Sequence, residues 1–319
     1  MKSMIKTLFM GTPDFAVPCL EMLNSRDDID IVGVVSQPDR QKGRGYKMLP
    51  PPVKEFALDA GLKVFQPESV KNEEFHALLK ELNPELIIVI AYGRILPGFV
   101  LDFPKYGCIN VHASLLPKYR GAAPIQWCVI NGEKKTGVTT MMMDEGLDTG
   151  DMLVVKETDI LPDDTSGSMF EKLSSLGVEA LSETINRINS GTLERVPQNH
   201  NEMTYAPVIS KEMSYIDFNM KADEICNLIR GLNPSPGAKS YLEGKILKII
   251  MAEVADNNSL NPGQISVKND MLIVGCGENT SIRLLIVQPE GKKAMATCDF
   301  LKGYKFDKEA YLCTSIQDI

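Results

Sequence analysis

The sequence predicts an α/β protein, a parallel sheet covered by helices on both faces and followed by a small β-barrel. Three observations lead there. Short apolar runs rich in β-branched residues alternate with helical periodicity through the first part of the chain. The composition turns polar and aperiodic over 191–207. Beyond that stretch, short strand-like runs follow one another at close spacing. At 319 residues, 44% hydrophobic and 24% charged, the chain holds enough apolar material for two cores.

In order along the first part, strand-like runs at 5–10, 29–35, 62–65, 86–91 and 108–112 are separated by stretches at 15–25, 53–60 and 72–82 whose apolar residues recur at three and four. That order spells repeated βαβ units, whose crossover helices bury the strands on both faces. Residues 137–142 read as a further strand and 153–160 as its partner, with 144–151 a glycine-rich connection that bends sharply. A helix over 166–189 follows, its start marked by Asp164, Thr165 and Ser166. The expected divisions are a first domain over 1–190, a linker over 191–207 and a second domain over 208–319. In the second, a helix over 222–232 runs into Asn233-Pro234-Ser235-Pro236-Gly237, and strands are expected at 238–242, 246–254, 263–267, 271–275 and 281–288.

The formal net charge of −8 excludes a uniformly basic coat, though not a local basic patch. The second domain is nearly balanced, so most of the negative excess lies in the first part. Seven scattered cysteines without a C-x-x-C pair argue against a structural zinc site and a disulfide framework, and fit reduced thiols in a cytosolic protein. The N-terminal apolar stretch is too short for a signal-peptide core, and no run approaches the roughly 20 residues needed to cross a bilayer. A cytoplasmic protein with no membrane contact is expected.

Open α/β sheets bind ligands outside the carboxyl ends of their strands, here 11–14, 37–52, 92–94 and 110–121. Strand alternation puts Asn110 and His112 on one face, side chains about 7 Å apart along the chain, where an amide and an imidazole can hold an oxyanion as it forms on a carbonyl. The other reading is that both satisfy buried backbone groups. The turn 144–151 supplies Asp144, Glu145, Asp148 and Asp151; one of these carboxylates can orient the imidazole, or all can be solvated, and the residues do not choose between them. The stretch 37–48 gathers Arg40, Lys42, Arg44 and Lys47 around a single acid, Asp39, with glycines between, and reads either as a clamp for a phosphate-bearing ligand or as a solvated basic loop. Gly11-Thr12-Pro13-Asp14 lacks the G-x-G-x-x-G pattern, so a dinucleotide cofactor has little support.

Taken together, Met10-Gly11-Thr12-Pro13-Asp14-Phe15, Gln37-Pro38-Asp39-Arg40 with Gly43-Arg44-Gly45, Cys108-Ile109-Asn110-Val111-His112, Ser114-Leu115-Leu116-Pro117, Arg120-Gly121-Ala122-Ala123-Pro124-Ile125 and Gly146-Leu147-Asp148-Thr149-Gly150-Asp151 resemble the bacterial methionyl-tRNA formyltransferase family. The likeness continues through Asn233-Pro234 and Gln288-Pro289 to Gly291-Lys292-Lys293-Ala294-Met295 and so covers nearly the whole chain. It implies a Rossmann-like formyltransferase domain and an OB-like C-terminal domain that contacts tRNA. It also implies transfer of a formyl group from 10-formyltetrahydrofolate to the α-amine of initiator methionyl-tRNA, without a metal. By the same resemblance the catalytic residues fall on Asn110, His112 and Asp148, the folate contacts on Ser114, Leu115, Leu116 and Pro117, and the tRNA contacts on Arg40, Lys42, Arg44 and Lys47.

The chemistry agrees with the reading of the residues: the amine attacks the formyl carbon, Asn110 and His112 meet the oxyanion, and Asp148 orients His112 and takes a proton. The expected state is a monomer. Two alternatives remain at this point: a related folate-dependent formyltransferase or hydrolase acting on a small molecule, and a folate- or tRNA-binding protein without catalysis.

Overall fold

The computed structural model describes residues 4–42, 47–256, 259–306 and 310–315. In the first part the strands are β1 (Ile5–Gly11), β2 (Ile29–Val35), β3 (Val64–Phe65), β4 (Leu86–Ile90), β5 (Cys108–His112), β6 (Lys135–Met142) and β7 (Met152–Asp159). The helices are α1 (Val17–Asn24), α2 (Pro52–Asp59), α3 (Glu73–Leu82), α4 (Pro124–Ile130) and α5 (Ser166–Ser190). Contacts divide the chain into two compact units, one of residues 1–121, 136–158 and 170–206, the other of 122–135, 159–169 and 207–319.

The first unit is built on a seven-stranded sheet in the order β7-β6-β5-β4-β1-β2-β3. Pairing is parallel from β3 through β5. Continuous apolar sequence explains the central position of β1 and β4: every residue of β4 is buried, as is all of β1 except Lys6. Alternation sends Leu8, Met10, Ile87 and Val89 to one face, where Phe75 and Leu79, one helical turn apart on α3, close over them. The side chain of Asn72 caps α3 by accepting from the Phe75 N–H at 3.1 Å, and Asn83 ends it in the left-handed conformation. Elsewhere Gly177 of α5 lies against Val111 and Cys19, and Phe170 packs edge-on to Phe15 with ring centroids 5.3 Å apart.

One edge of the sheet is not parallel. β6 runs antiparallel to β5, with Asn110 opposite Met141 and His112 opposite Thr139, and β7 returns beside β6. The connection between β6 and β7 is too short for the crossover of a dozen or more residues that a parallel pair requires, so the chain must fold back on itself there.

In the second unit, α6 (Ala222–Gly231) lies beside strands β8 (Ala238–Leu242), β9 (Lys245–Ala255), β10 (Ile265–Lys268), β11 (Met271–Gly275), β12 (Ser281–Pro289) and β13 (Leu312–Cys313). Their spatial order is β10-β11-β12-β9-β8-β13, an antiparallel sheet of the expected OB-like kind. Register shifts near Met251 bend the long strand β9 and curl the sheet around Leu247, Ile249, Leu272, Val274, Ile282 and Leu284. Ile225, Leu228 and Ile229 of α6 fill the same core.

Helix α4 packs on α6 at Gly231, where an added Cβ would come within 2.4 Å of the Ile130 Cγ1 and 3.0 Å of its backbone nitrogen. A larger residue must push the helices apart. Gly231→Val is expected to destabilise the protein by about 1–3 kcal/mol, as overpacking does. The urea-unfolding midpoint measures this, and an unchanged midpoint would show that the helices can separate freely.

Candidate active site

The site forms where the carboxyl end of β5 faces the loop between β6 and β7. Because side chains alternate, Asn110 and His112 share a face of β5. Asp148 reaches them from the loop: its Oδ1 accepts from Asn110 Nδ2 at 3.4 Å, and its Oδ2 lies 3.6 Å from His112 Nδ1. The Gly121 backbone N–H donates to the same Oδ2 at 2.8 Å. The structure therefore brings the sequence-predicted amide, imidazole and carboxylate into one cluster.

His112 is only 6% exposed, so both ring nitrogens depend on protein partners or a ligand. Nε2 lies 2.9 Å from the Tyr119 carbonyl oxygen, which can only accept, so Nε2 donates there and Nδ1 is the atom turned toward Asp148. The backbone around this pair is constrained, with Asp148 at φ 52 and Tyr119 at φ 60, both in the left-handed region. Such a conformation persists in a non-glycine residue only where surrounding contacts fix it.

The turn 114–117 is held from below by Thr139, whose hydroxyl donates to the Ser114 carbonyl at 2.7 Å and accepts from the Leu116 N–H at 3.2 Å. Ser114 is fully buried and its own hydroxyl donates to the Lys118 carbonyl at 2.7 Å. It shapes the turn, whereas Leu115 and Pro117 keep partly exposed apolar surface. Leu147, next to Asp148, is 54% exposed, so apolar surface also borders the cluster on its loop side. Among the described residues no group of three or more His, Cys, Asp or Glu side chains is placed to hold a metal ion.

A cleft of about 410 Å³ opens at the carboxyl ends of β1, β2 and β4, lined by residues that include Thr12, Pro13, Gln37, Pro52, Ala91 and Tyr92. All of these but Ala91, the last residue of an expected strand, belong to segments expected to follow strands and hold ligand. Gln37 is fixed at both ends of its amide, donating to the Tyr92 carbonyl at 3.1 Å and accepting from Arg94 Nε at 3.2 Å. The Tyr92 hydroxyl is buried with no partner among the described residues.

The basic loop begins as an antiparallel ribbon, Arg40–Lys42 against Lys47–Leu49. Arg40 is exposed and lines the cleft. Arg44 lies outside the described residues, as do the side chains of Lys42 and Lys47. At the foot of the ribbon, Lys54 Nζ donates to both Asp39 oxygens at 2.8 Å and to Gln66 Oε1 at 2.7 Å. The hydrogen bond from Lys54, then that from Gln66, holds the Asp39 carboxyl below its usual range.

Sequence reasoning missed the backbone groups of Tyr119 and Gly121, and it missed Gln198. The Gln198 Nε2 donates to the carbonyls of Asp148 at 2.9 Å and Gly150 at 2.7 Å. A lone glutamine in an aperiodic polar stretch carries no sequence signal of such a task.

A Rossmann-like sheet followed by a curled antiparallel domain is the two-part fold of the formyl transferases. Residues 4–185 match the formyl transferase family, and 208–305 match the formyl transferase C-terminal domain. The methionyl-tRNA formyltransferase of Caldanaerobacter subterraneus subsp. tengcongensis is 52% identical over 310 residues, 97% of this chain and 100% of that one. That of Geobacter metallireducens is 49% identical over 304 residues, 95% of this chain and 97% of that one. Among solved structures, an N-formyltransferase from Helicobacter canadensis, in complex with folinic acid and dTDP-3-aminofucose, superposes with a TM-score of 0.65 at 22% identity, covering 90% of this chain and 100% of that one. The chain belongs to the methionyl-tRNA formyltransferase family.

Removing the Thr139 hydroxyl leaves two buried backbone groups of the 114–117 turn without their partner. Thr139→Val is expected to cost about 1–3 kcal/mol of stability, read from the denaturant midpoint. No change would show that the turn holds its own shape.

Proposed function

We propose that this protein transfers a formyl group from 10-formyltetrahydrofolate to the α-amine of methionine on initiator methionyl-tRNA, using Asn110, His112 and Asp148. The single observation that carries the reading is the convergence of the three side chains, with Asp148 within 3.4 Å of Asn110 and 3.6 Å of His112. The near-full-length identity to methionyl-tRNA formyltransferases favours that acceptor over a small molecule.

In this mechanism the Asn110 amide donates to the formyl oxygen as negative charge builds on it, and a donor fixed beforehand costs no reorganisation at that moment. His112 is anchored through Nε2 by Tyr119, so its Nδ1 edge faces the reacting groups together with Asp148. Asp148 takes the proton that the attacking amine must lose, directly or through one water. The folate cosubstrate supplies an activated formyl group: the tetrahedral adduct collapses by breaking the bond from the formyl carbon to N10, N10 takes up a proton, and tetrahydrofolate leaves. Leu115, Pro117 and Leu147 offer apolar surface on which a flat pterin ring can lie. Ser114 and Leu116, both buried, shape that wall from behind. The methionyl end of the acceptor enters by the cleft at Thr12, Gln37 and Ala91.

Arg40, Lys42, Arg44 and Lys47 grip the tRNA backbone, aided by the C-terminal OB-like domain, in an otherwise acidic protein that resists indiscriminate binding. As functional segments we assign formyl transfer to 1–190, connection to 191–207 and tRNA binding to 208–319. Among the described residues no helix is long and apolar enough to cross a membrane. A cytoplasmic monomer that needs no metal completes the proposal.

The direct test is a formylation assay with 10-formyltetrahydrofolate as donor, comparing charged initiator tRNA, charged elongator tRNA and glycinamide ribonucleotide. Initiator tRNA is the expected acceptor, and preference for the ribonucleotide would overturn the assignment. His112→Ala and Asp148→Asn are each expected to lower kcat by about 10² or more while tRNA binding stays nearly intact. Turnover close to wild type in either would remove that residue from the mechanism. Arg44→Ala is expected to raise KM for tRNA and to reduce the slope of log affinity against log salt by about one. An unaltered slope would return the loop to ordinary solvated surface.

A further inference from the structure

We infer that the segment 196–206 is a brace for the reacting groups, with Gln198 the positioning residue that holds Asp148 in its productive left-handed turn. The inference rests on the catalytic reading of Asn110, His112 and Asp148 above.

Gln198 is 6% exposed, and every polar atom of its amide is used. Its Nε2 donates to the Asp148 and Gly150 carbonyls, and its Oε1 accepts from Arg120 Nε at 3.1 Å and Nη2 at 2.6 Å. Only one orientation of the amide satisfies two carbonyls on one side and a guanidinium on the other, so its neighbours fix the side chain. Arg120, itself 2% exposed, also donates to His200 Nδ1 at 3.2 Å. Gln198 therefore ties the turn that carries Asp148 to the segment beside His112.

The same stretch holds the other left-handed residue. Thr204 accepts the Tyr119 N–H on its hydroxyl and the Arg120 N–H on its carbonyl, each at 2.9 Å. Tyr205 and Ala206 then pair in parallel with Arg120 and Gly121. Tyr119 presents the carbonyl that anchors His112, and Gly121 the N–H that anchors Asp148. An added Cβ at Gly121 would lie 2.9 Å from the Ala206 carbonyl oxygen, so the two strands are in close contact there. At its other end, Val196 exchanges both backbone hydrogen bonds with Met152, at the exit of the Asp148 loop.

Loss of the Gln198 amide frees two carbonyls of the loop and lets Asp148 drift from Asn110 and His112, and small displacements of that kind cost rate more than binding. The test compares wild type, Gln198→Met, Asp148→Asn and the double variant at single turnover with methionyl-tRNA and 10-formyltetrahydrofolate, with thermal midpoints recorded for each. Gln198→Met is expected to lower the rate about tenfold, with half-saturating concentrations of both substrates within about twofold of wild type. In the Asp148→Asn background it is expected to change the rate by less than about twofold, because the two residues act as a unit.

A rate within twofold of wild type, or the same factor lost in both backgrounds, would overturn the brace while leaving the catalytic assignment standing. Near-wild-type turnover in Asp148→Asn alone would overturn both. If Gln198→Met does not fold, Thr204→Val decides on the same terms. Its loss of a few-fold should vanish in the His112→Ala background, and persistence there would overturn the inference.

Discussion

The site depends on one carboxylate held in an unfavourable backbone conformation. Asp148 lies in the left-handed region, which costs a non-glycine residue on the order of 1–2 kcal/mol. Its Oδ2 accepts the Gly121 N–H and faces His112, and its Oδ1 faces Asn110. Released into an ordinary turn, the same side chain would point to water with its backbone relaxed. The hydrogen bonds that hold it come from β5, from the chain just after Tyr119 and from Gln198, so the carboxylate is placed by tertiary structure and not by its own turn.

The antiparallel edge of the sheet sets where the Asp148 loop starts. β6 ends beside the amino end of β5, with Met142 opposite Ile109 and the Met143 N–H on the Cys108 carbonyl. The short connection to β7 then folds back so that Asp148 reaches Asn110 and His112 further along β5. The parallel strands meanwhile deliver Thr12, Gln37 and Ala91 to a cleft at the carboxyl edge. Val89 pairs with Asn110 across β4 and β5, so the chain that leaves β4 for Ala91 runs beside the chain that carries His112. An acceptor entering that cleft, as proposed, reaches the cluster without crossing the core.

Much of this was legible in the sequence, for identifiable reasons. The strands at β1, β2, β4 and β5 were visible because buried parallel strands are continuous apolar runs, and α3 because Phe75 and Leu79 recur at helical spacing between an asparagine cap and an asparagine stop. The shared face of Asn110 and His112 followed from alternation alone. What the residues left open was which acid of the 144–151 turn meets the histidine, since Asp144 turns instead to its own loop, accepting from the Gly146 N–H at 3.0 Å and the Thr149 hydroxyl at 2.6 Å. That choice is made by contacts far apart in sequence, and only the family resemblance pointed to Asp148. The reversed direction of β6 was hidden for the same reason, because a strand's periodicity does not record its polarity.

The stretch 191–207 shows why absence of periodicity is a poor guide to structural weight. Periodicity reports on faces buried against a core, and this stretch buries almost none. It works through single polar side chains that each meet a particular backbone group: Gln198 on two carbonyls, Thr204 on one N–H. Such contacts need a fixed position for the residue but no pattern among its neighbours. They also close the longest loop in the site, joining residue 198 to 148 and 204 to 119. A chain ending after α5 would keep the sheet and the proposed trio in its sequence, yet lose the groups that hold Tyr119 and Asp148 in place. The cluster of Asn110, His112 and Asp148 is therefore fully held only when the segment leading toward the second domain is folded in place.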